Sequence, residues 1–241
     1  MTASMKSASG AGTLVRQAME AVTEHIRHAH LKAGDELPSE AEFAQTLKVS
    51  RAVIREAFGA LAALHVINVG NGRKARVAVL DSSPLASALG HAVNTAQVTV
   101  AQVWDVRRTL ERRTAALAAQ YRTDEEALQI LAHAEAMKQF REDFGRMTKH
   151  DIALHEAIAA ASHNLLFAQI VASFSPQINE AVPTAWRTRT TERQRSTILR
   201  RHLAIAEAIA ARDPVAAEKA MDLHFADSIK RLLDAGTGQL T

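Results

Sequence analysis

The chain has 241 residues, 47% hydrophobic and 23% charged, with a formal net charge of +3. That length suits two modest domains better than one large core. It contains no cysteine, which excludes disulfides and thiolate metal sites and points to a reducing cytoplasm, and no run of about 18 apolar residues marks a membrane span.

Residues 1–80 carry ten Lys and Arg against seven Asp and Glu, and the remainder carries nineteen of each. The basic excess therefore lies in the N-terminal third. That fits a phosphate-facing module joined to a neutral one, although three charges are also what a solvated face would carry. Alanine is abundant while Gly, Pro and aromatics are sparse, a composition that favours helices.

Residues 1–12 are small and polar with a single lysine; they read as a flexible tail and not as a signal peptide. The first domain is expected over 13–80. Leu14, Ala18, Val22 and Ile26 recur every four residues as one helix face. Gly34-Asp35 stops that helix. Ser39 with Glu42 three residues later predicts a capping box opening a short second helix. Ser50 then caps a third helix bearing Val53, Ile54, Ala57, Phe58, Leu61 and Leu64. Val66–Val69 and Ala75–Val79 flank a Gly/Asn turn and read as a hairpin. Three helices and a hairpin in this order make a winged helix-turn-helix.

Residues 81–98 read as a linker, opening on Asp81-Ser82-Ser83-Pro84, plus the first helix of a second domain over 99–235. Helices are expected near 84–94, 99–121, 123–141, 144–161, 164–180, 191–211 and 214–234, with Pro183 as one break. The fold class is mainly α: a winged helix followed by an all-α bundle.

An α-helix fits the DNA major groove and reads base edges through its N-terminal residues. The third helix begins with Ser50, whose hydroxyl either meets a phosphate or caps the helix, and carries Arg51 and Arg55 one turn apart, placed to contact guanine or phosphate. Arg73, Lys74 and Arg76 lie on or beside the hairpin, where they would meet phosphates or the minor groove. The alternative is a set of solvated surface cations. The strings Leu37-Pro38-Ser39-Glu40-Ala41-Glu42-Phe43-Ala44 and Val49-Ser50-Arg51-Ala52-Val53-Ile54-Arg55-Glu56-Ala57 resemble the winged helix of the GntR family. The resemblance implies operator contacts by Arg51, Arg55 and the wing turn Asn71-Gly72. Ala41 stands where many members carry an arginine, so one expected contact is absent.

Residues 84–235 are similar to the FCD domain of the FadR-type branch. The markers are Arg107 and Glu111, Asp151 to His155, Asn164, His202 and His224. A metal site can also be argued from spacing. Asp151 and His155 are four apart and share a helix face. Asp213 lies eleven residues after His202 and eleven before His224. If Asp213-Pro214 turns an antiparallel helix pair, both histidines stand at one level, roughly 16 Å from the turn. One carboxylate and three imidazoles suit a divalent ion: Zn²⁺ first, with Mn²⁺, Fe²⁺ or Ni²⁺ as other choices. Each histidine taken alone reads better as a surface or satisfied core residue. His25, His28, His30 and His65 have no evident convergent partners, and His150 and His163 are expected to face away.

Arg107 is the second element of this site. An arginine beside a buried metal calls for an anion, and a carboxylate effector held between metal and Arg107 would supply it. A surface cation or an i,i+4 pair with Glu111 are the alternatives. Asn164 either bonds the effector or caps a helix, and Trp186 and Arg187 are candidate pocket residues.

Together these readings describe a cytoplasmic homodimer that binds operator DNA and a small carboxylate, a regulator and not an enzyme. The resemblance implies a repressor released by its effector. The helix-turn-helix strings look close to those of galactonate-type regulators, which favours a sugar acid or hydroxy acid and leaves lactate, glycolate and citrate open. Two other readings compete: a DNA-binding protein with a purely structural metal, and a metal-dependent hydrolase. Against the hydrolase, His155-Glu156 is followed by Ala159 where H-E-x-x-H needs histidine.

Overall fold

The computed structural model of the chain describes residues 3–70 and 73–234. The chain divides into two compact units, Met1–Pro84 and Leu85–Thr241.

The first unit holds α1 (Ala3–His28), α2 (Glu40–Leu47), α3 (Arg51–Ala63), β1 (Ile67–Asn68) and β2 (Arg76–Val77). Helix α1 begins at Ala3, within the segment read as a tail; Ala, Met and Lys there are good helix formers. The capping box at α2 forms as the sequence predicts. Ser39 Oγ accepts from the Glu42 backbone N–H, and the Glu42 carboxylate accepts from the Ser39 backbone N–H at 2.7 Å. Lys48 ends α2 in the left-handed region at φ 55°, so the chain turns sharply before Ser50 caps α3. Val22, Ile54, Phe58, Leu61 and Ile67 close the core of this unit. The hairpin is shorter than expected, with Ile67 opposite Val77 and Asn68 opposite Arg76. It is reinforced by a bridge from Glu36 to Arg76 and by the Leu37 N–H donating to the Ala75 carbonyl at 2.8 Å. This extra pairing depends on Gly34, whose φ of +90° lets the chain swing back toward the hairpin.

The second unit is helical throughout its described residues: α4 (Ser83–Asn94), α5 (Val100–Tyr121), α6 (Asp124–Gln139), α7 (Phe144–Ala161), α8 (Leu165–Ala172), α9 (Ser175–Arg187), α10 (Glu192–Ala210) and α11 (Pro214–Asp234). Capping boxes open α5, α6 and α10 at Thr99, Thr123 and Thr191. The helix expected over 164–180 is two helices. Ser173 and Phe174 close α8, and Pro176, which has no N–H to lose, sits in the first turn of α9. Pro183 does not break α9, which runs on to Arg187. The proline forfeits a helix hydrogen bond, and burial of Ala181, Ala185 and Trp186 on that helix offsets the loss.

Helix α5 packs on α11 and α7, while α10 packs on α11 and α6. Ala115, Ala118 and Ala119 are buried on α5, and their small side chains let neighbouring helices approach closely. The result is a bundle whose centre is reached by side chains of α5, α7, α10 and α11. Ile130 on α6 is fully enclosed in its core. Ile130→Ala is expected to cost about 2–5 kcal/mol. Chemical denaturation should show a lower midpoint with an unchanged slope.

Candidate metal and effector site and candidate DNA interface

The central side chains of the second unit come from four helices. His155 projects from α7, His202 from α10 and His224 from α11, and all three are buried. Asp213-Pro214 does turn an antiparallel pair: Asp213 Oδ1 accepts from the Ala216 backbone N–H at 2.9 Å, and Pro214 is the first residue of α11. Equal distances from the turn bring the rings of His202 and His224 to 4.4 Å between centroids. One ligand-capable nitrogen from each of the three histidines lies within 4.8 Å of the other two. Asp151 is outside that mutually close set. It approaches the cluster through His202, with its Oδ1 2.9 Å from His202 Nε2.

The donor set fits a cation. His155 Nε2, His202 Nδ1 and His224 Nδ1 are buried without a hydrogen-bond partner among the described residues, and orphaned buried nitrogens of this kind are costly unless something binds them. Burial, together with the nearby charges of His202, His155, Arg107 and Arg189, holds the His224 imidazole well below its usual pKa. It is therefore neutral, the form that ligates a metal. Burial pushes the Asp151 carboxyl up, but the His202 hydrogen bond and the charges of His202, His155 and Arg107 outweigh it and hold the group down at about 2. Asp151 is thus an anion.

Glu111 organises the other side. It is buried on α5, where its Oε1 accepts from Arg107 Nε at 2.7 Å and its Oε2 contacts His155 Nδ1. Burial raises the Glu111 carboxyl, yet Arg107 and His155 together lower it below the usual range. A carboxylate against Nδ1 keeps the proton there and leaves His155 Nε2 free to face a metal. Arg107 also lies over Trp104 and Phe225, 4.7 and 5.1 Å from their ring centroids. The i,i+4 pairing with Glu111 is therefore real, and it corrects the premise that Arg107 needs an outside anion. Its Nη groups make no hydrogen bond among the described residues, and Arg107 lines a cavity of about 40 Å³ together with Asp151, His202 and His224.

Trp186 lines the same cavity, whereas Arg187 is exposed at the end of α9. Arg189, which sequence reasoning passed over, takes the place proposed for Arg187. It is buried, lines the cavity, and donates to the Ala185 carbonyl at 2.7 Å and to Asp227 Oδ2 at 3.2 Å. Its signal was faint, since only the turn after α9 points it inward. Asn164 is not brought to the cavity. It is exposed, and its side-chain oxygen caps α8 by accepting from Leu166 and Phe167 N–H. His150 stacks on Phe140 and pairs with His133, and His163 pairs with Glu126, so both stand apart from the cluster.

In the first unit, Ser50 Oγ accepts from the Val53 N–H at 3.3 Å and is committed to capping α3. Arg51 and Arg55 are exposed on that helix. With Arg73, Lys74 and Ser39 they border one concave surface. Arg55 Nε lies 3.4 Å from Glu40 Oε2, a pairing the sequence spacing did not reveal. Arg76 is drawn to Glu36 and the Gly34 carbonyl, a structural role beside the hairpin. Asn71 and Gly72 lie outside the described residues.

A winged helix on one side and a buried imidazole cluster in a helical bundle on the other define a class of DNA-binding regulator. A family described as "Bacterial regulatory proteins, gntR family" matches residues 14–77, and "FCD domain" matches residues 102–227. The chain belongs to the GntR family of transcriptional regulators with an FCD domain, and not to an enzyme family. Among curated proteins it is similar to the HTH-type transcriptional regulator LutR of Bacillus subtilis (strain 168), with 29% identity over 83% of this chain and 92% of that one. It is also similar to the HTH-type transcriptional repressor NanR of Salmonella typhimurium (strain LT2), with 26% identity over 86% of this chain and 79% of that one. A solved structure of Streptococcus agalactiae GntR shares the fold, with a TM-score of 0.65, 24% identity and coverage of 90% of this chain and 99% of that one. Among the described residues no helix is long and apolar enough to cross a membrane.

Zn²⁺ added to metal-stripped protein is expected to raise the melting temperature through preferential binding to the folded state. Replacing any one of His155, His202 or His224 by alanine should remove most of that rise. Glu111→Gln should weaken Zn²⁺ binding about 10–100-fold by releasing His155, as read by competition with a chelating dye.

Proposed function

We propose that this protein is an effector-controlled repressor that works in the cytoplasm as a homodimer. Two copies of α3 would enter successive major grooves of a near-palindromic operator, with Arg51 and Arg55 at base edges or phosphates. Arg73, Lys74 and the turn Asn71-Gly72 would follow the adjacent backbone, and Ser50 would hold the start of α3 toward it.

In the second unit we propose a divalent ion, Zn²⁺ before Mn²⁺, Fe²⁺ or Ni²⁺, held by His155, His202 and His224 with Asp151 completing the shell. A small organic acid of the sugar-acid or hydroxy-acid class would bind beside it through Arg107. The observation that carries this reading is the cavity itself, which is bordered by His202 and His224, each with an orphaned imidazole nitrogen, and by the buried Arg107. A Lewis-acidic ion supplies carboxylate affinity there, and Arg107 orients the anion bidentately. Effector binding must favour one dimer geometry over the other to change DNA affinity.

One observation favours a structural metal without an effector: Glu111 already balances the Arg107 charge. Fluorescence anisotropy on an operator selected from random DNA separates the two. Arg51→Ala or Arg55→Ala should weaken binding by about 1–3 kcal/mol each. A small acid should release the metal-loaded protein from DNA, and Arg107→Ala should abolish that release. DNA binding indifferent to every acid tried would leave the structural-metal reading.

A further inference from the structure

We infer that His133 and His150 form a second site for a divalent transition-metal ion, where α6 meets α7 and separate from the buried histidine cluster.

Geometry comes first. The two helices pack on each other and bring His133 Nδ1 to 3.2 Å from His150 Nδ1. Two imidazole nitrogens, each about 2.0–2.1 Å from one tetrahedral zinc ion, stand about 3.3–3.4 Å apart. The pair is therefore already spaced as two ligands of one ion. The rings are also held in place. His150 stacks on Phe140, with 5.6 Å between centroids and 7° between planes, and the Arg146 guanidinium lies 5.1 Å from the Phe140 centroid.

The chemistry of this pair differs from that of the exposed histidines. His28, His65 and His163 each meet a carboxylate, those of Glu24, Asp81 and Glu126. His133 and His150 pair with each other instead, so each ring faces a second base. A hydrogen bond between them uses one Nδ1 as donor and the other as acceptor. A cation takes both Nδ1 lone pairs at once, with each ring keeping its one proton at Nε2, so binding to the two neutral rings releases no proton. Both residues are half-buried, which leaves the ion a side open to water to complete its shell. Imidazole ligands suit Zn²⁺, Ni²⁺ or Cu²⁺, whereas Mg²⁺ and Ca²⁺ take oxygen. An ion here would tie α6 to the stretch of α7 that carries Asp151 and His155.

The test is calorimetric titration of Zn²⁺ into the metal-stripped full chain. One class of sites is expected to weaken at least tenfold in both His133→Gln and His150→Gln. Those substitutions should leave the ion of the buried cluster within twofold, and His224→Ala should do the reverse. If the buried cluster takes no ion, a single class lost in His133→Gln still supports this site, so the two readings fail separately. Zn²⁺ binding that responds to neither glutamine substitution overturns the inference and leaves an adventitious ion only. Crystals of the unsubstituted protein soaked in Zn²⁺ give a second readout. A zinc anomalous peak between the two Nδ1 atoms is expected, and its absence overturns the inference even if the variants do not fold.

Discussion

Balancing charge inside an alanine-rich helical bundle is the constraint on which the second unit depends. Arg107, Glu111 and Asp151 are each at least 95% removed from solvent, and an isolated ion at such depth would neutralise itself or unfold the core. Glu111 prevents this by standing between Arg107 and His155. The same carboxylate that stabilises the arginine also orients an imidazole, so any change at the arginine reaches the metal cluster through one side chain. An acid bound at the Arg107 Nη groups would draw on the same guanidinium whose Nε donates to Glu111. That gives the proposed effector a short physical route to the metal shell.

The bundle is arranged to keep this cluster in register. The α10–α11 turn fixes two histidines at equal heights, α7 brings Asp151 and His155 from one face, and α5 brings Arg107 and Glu111. Arg108 and Arg112 on the outer side of α5 pair with Asp222 and Glu218 on α11. These pairs are half-exposed, so they add little energy individually, but they tie together the two helices that carry Arg107 and His224.

The DNA-binding unit uses its polar groups differently. Its capping residues Ser39 and Ser50 are spent on helix termini, and Glu40 lies against Arg55. The cations that remain at the concave surface are on α3 and at the base of the wing. Arg55, mostly exposed, lies with its Nε 3.4 Å from Glu40 Oε2. Ala41 borders the same surface and offers no hydrogen bond of its own.

Local signals were the ones the sequence determined. The capping box at Ser39, the four-residue spacing of Asp151 and His155, and the symmetric placement of His202 and His224 about Asp213 are all short-range patterns. Helix geometry converts them directly into position. Tertiary structure decided whatever depended on a partner distant in the chain. The Glu111 contact with His155, the inward turn of Arg189 in place of Arg187, and the pairing of Glu40 with Arg55 join elements whose separation in sequence carries no periodic trace. Asn164 shows the converse, since its type allowed a ligand contact or a cap, and only the path of the chain after α7 settled it as a cap. Periodicity fixes which face of a helix is buried, but the neighbour that face meets is chosen by packing.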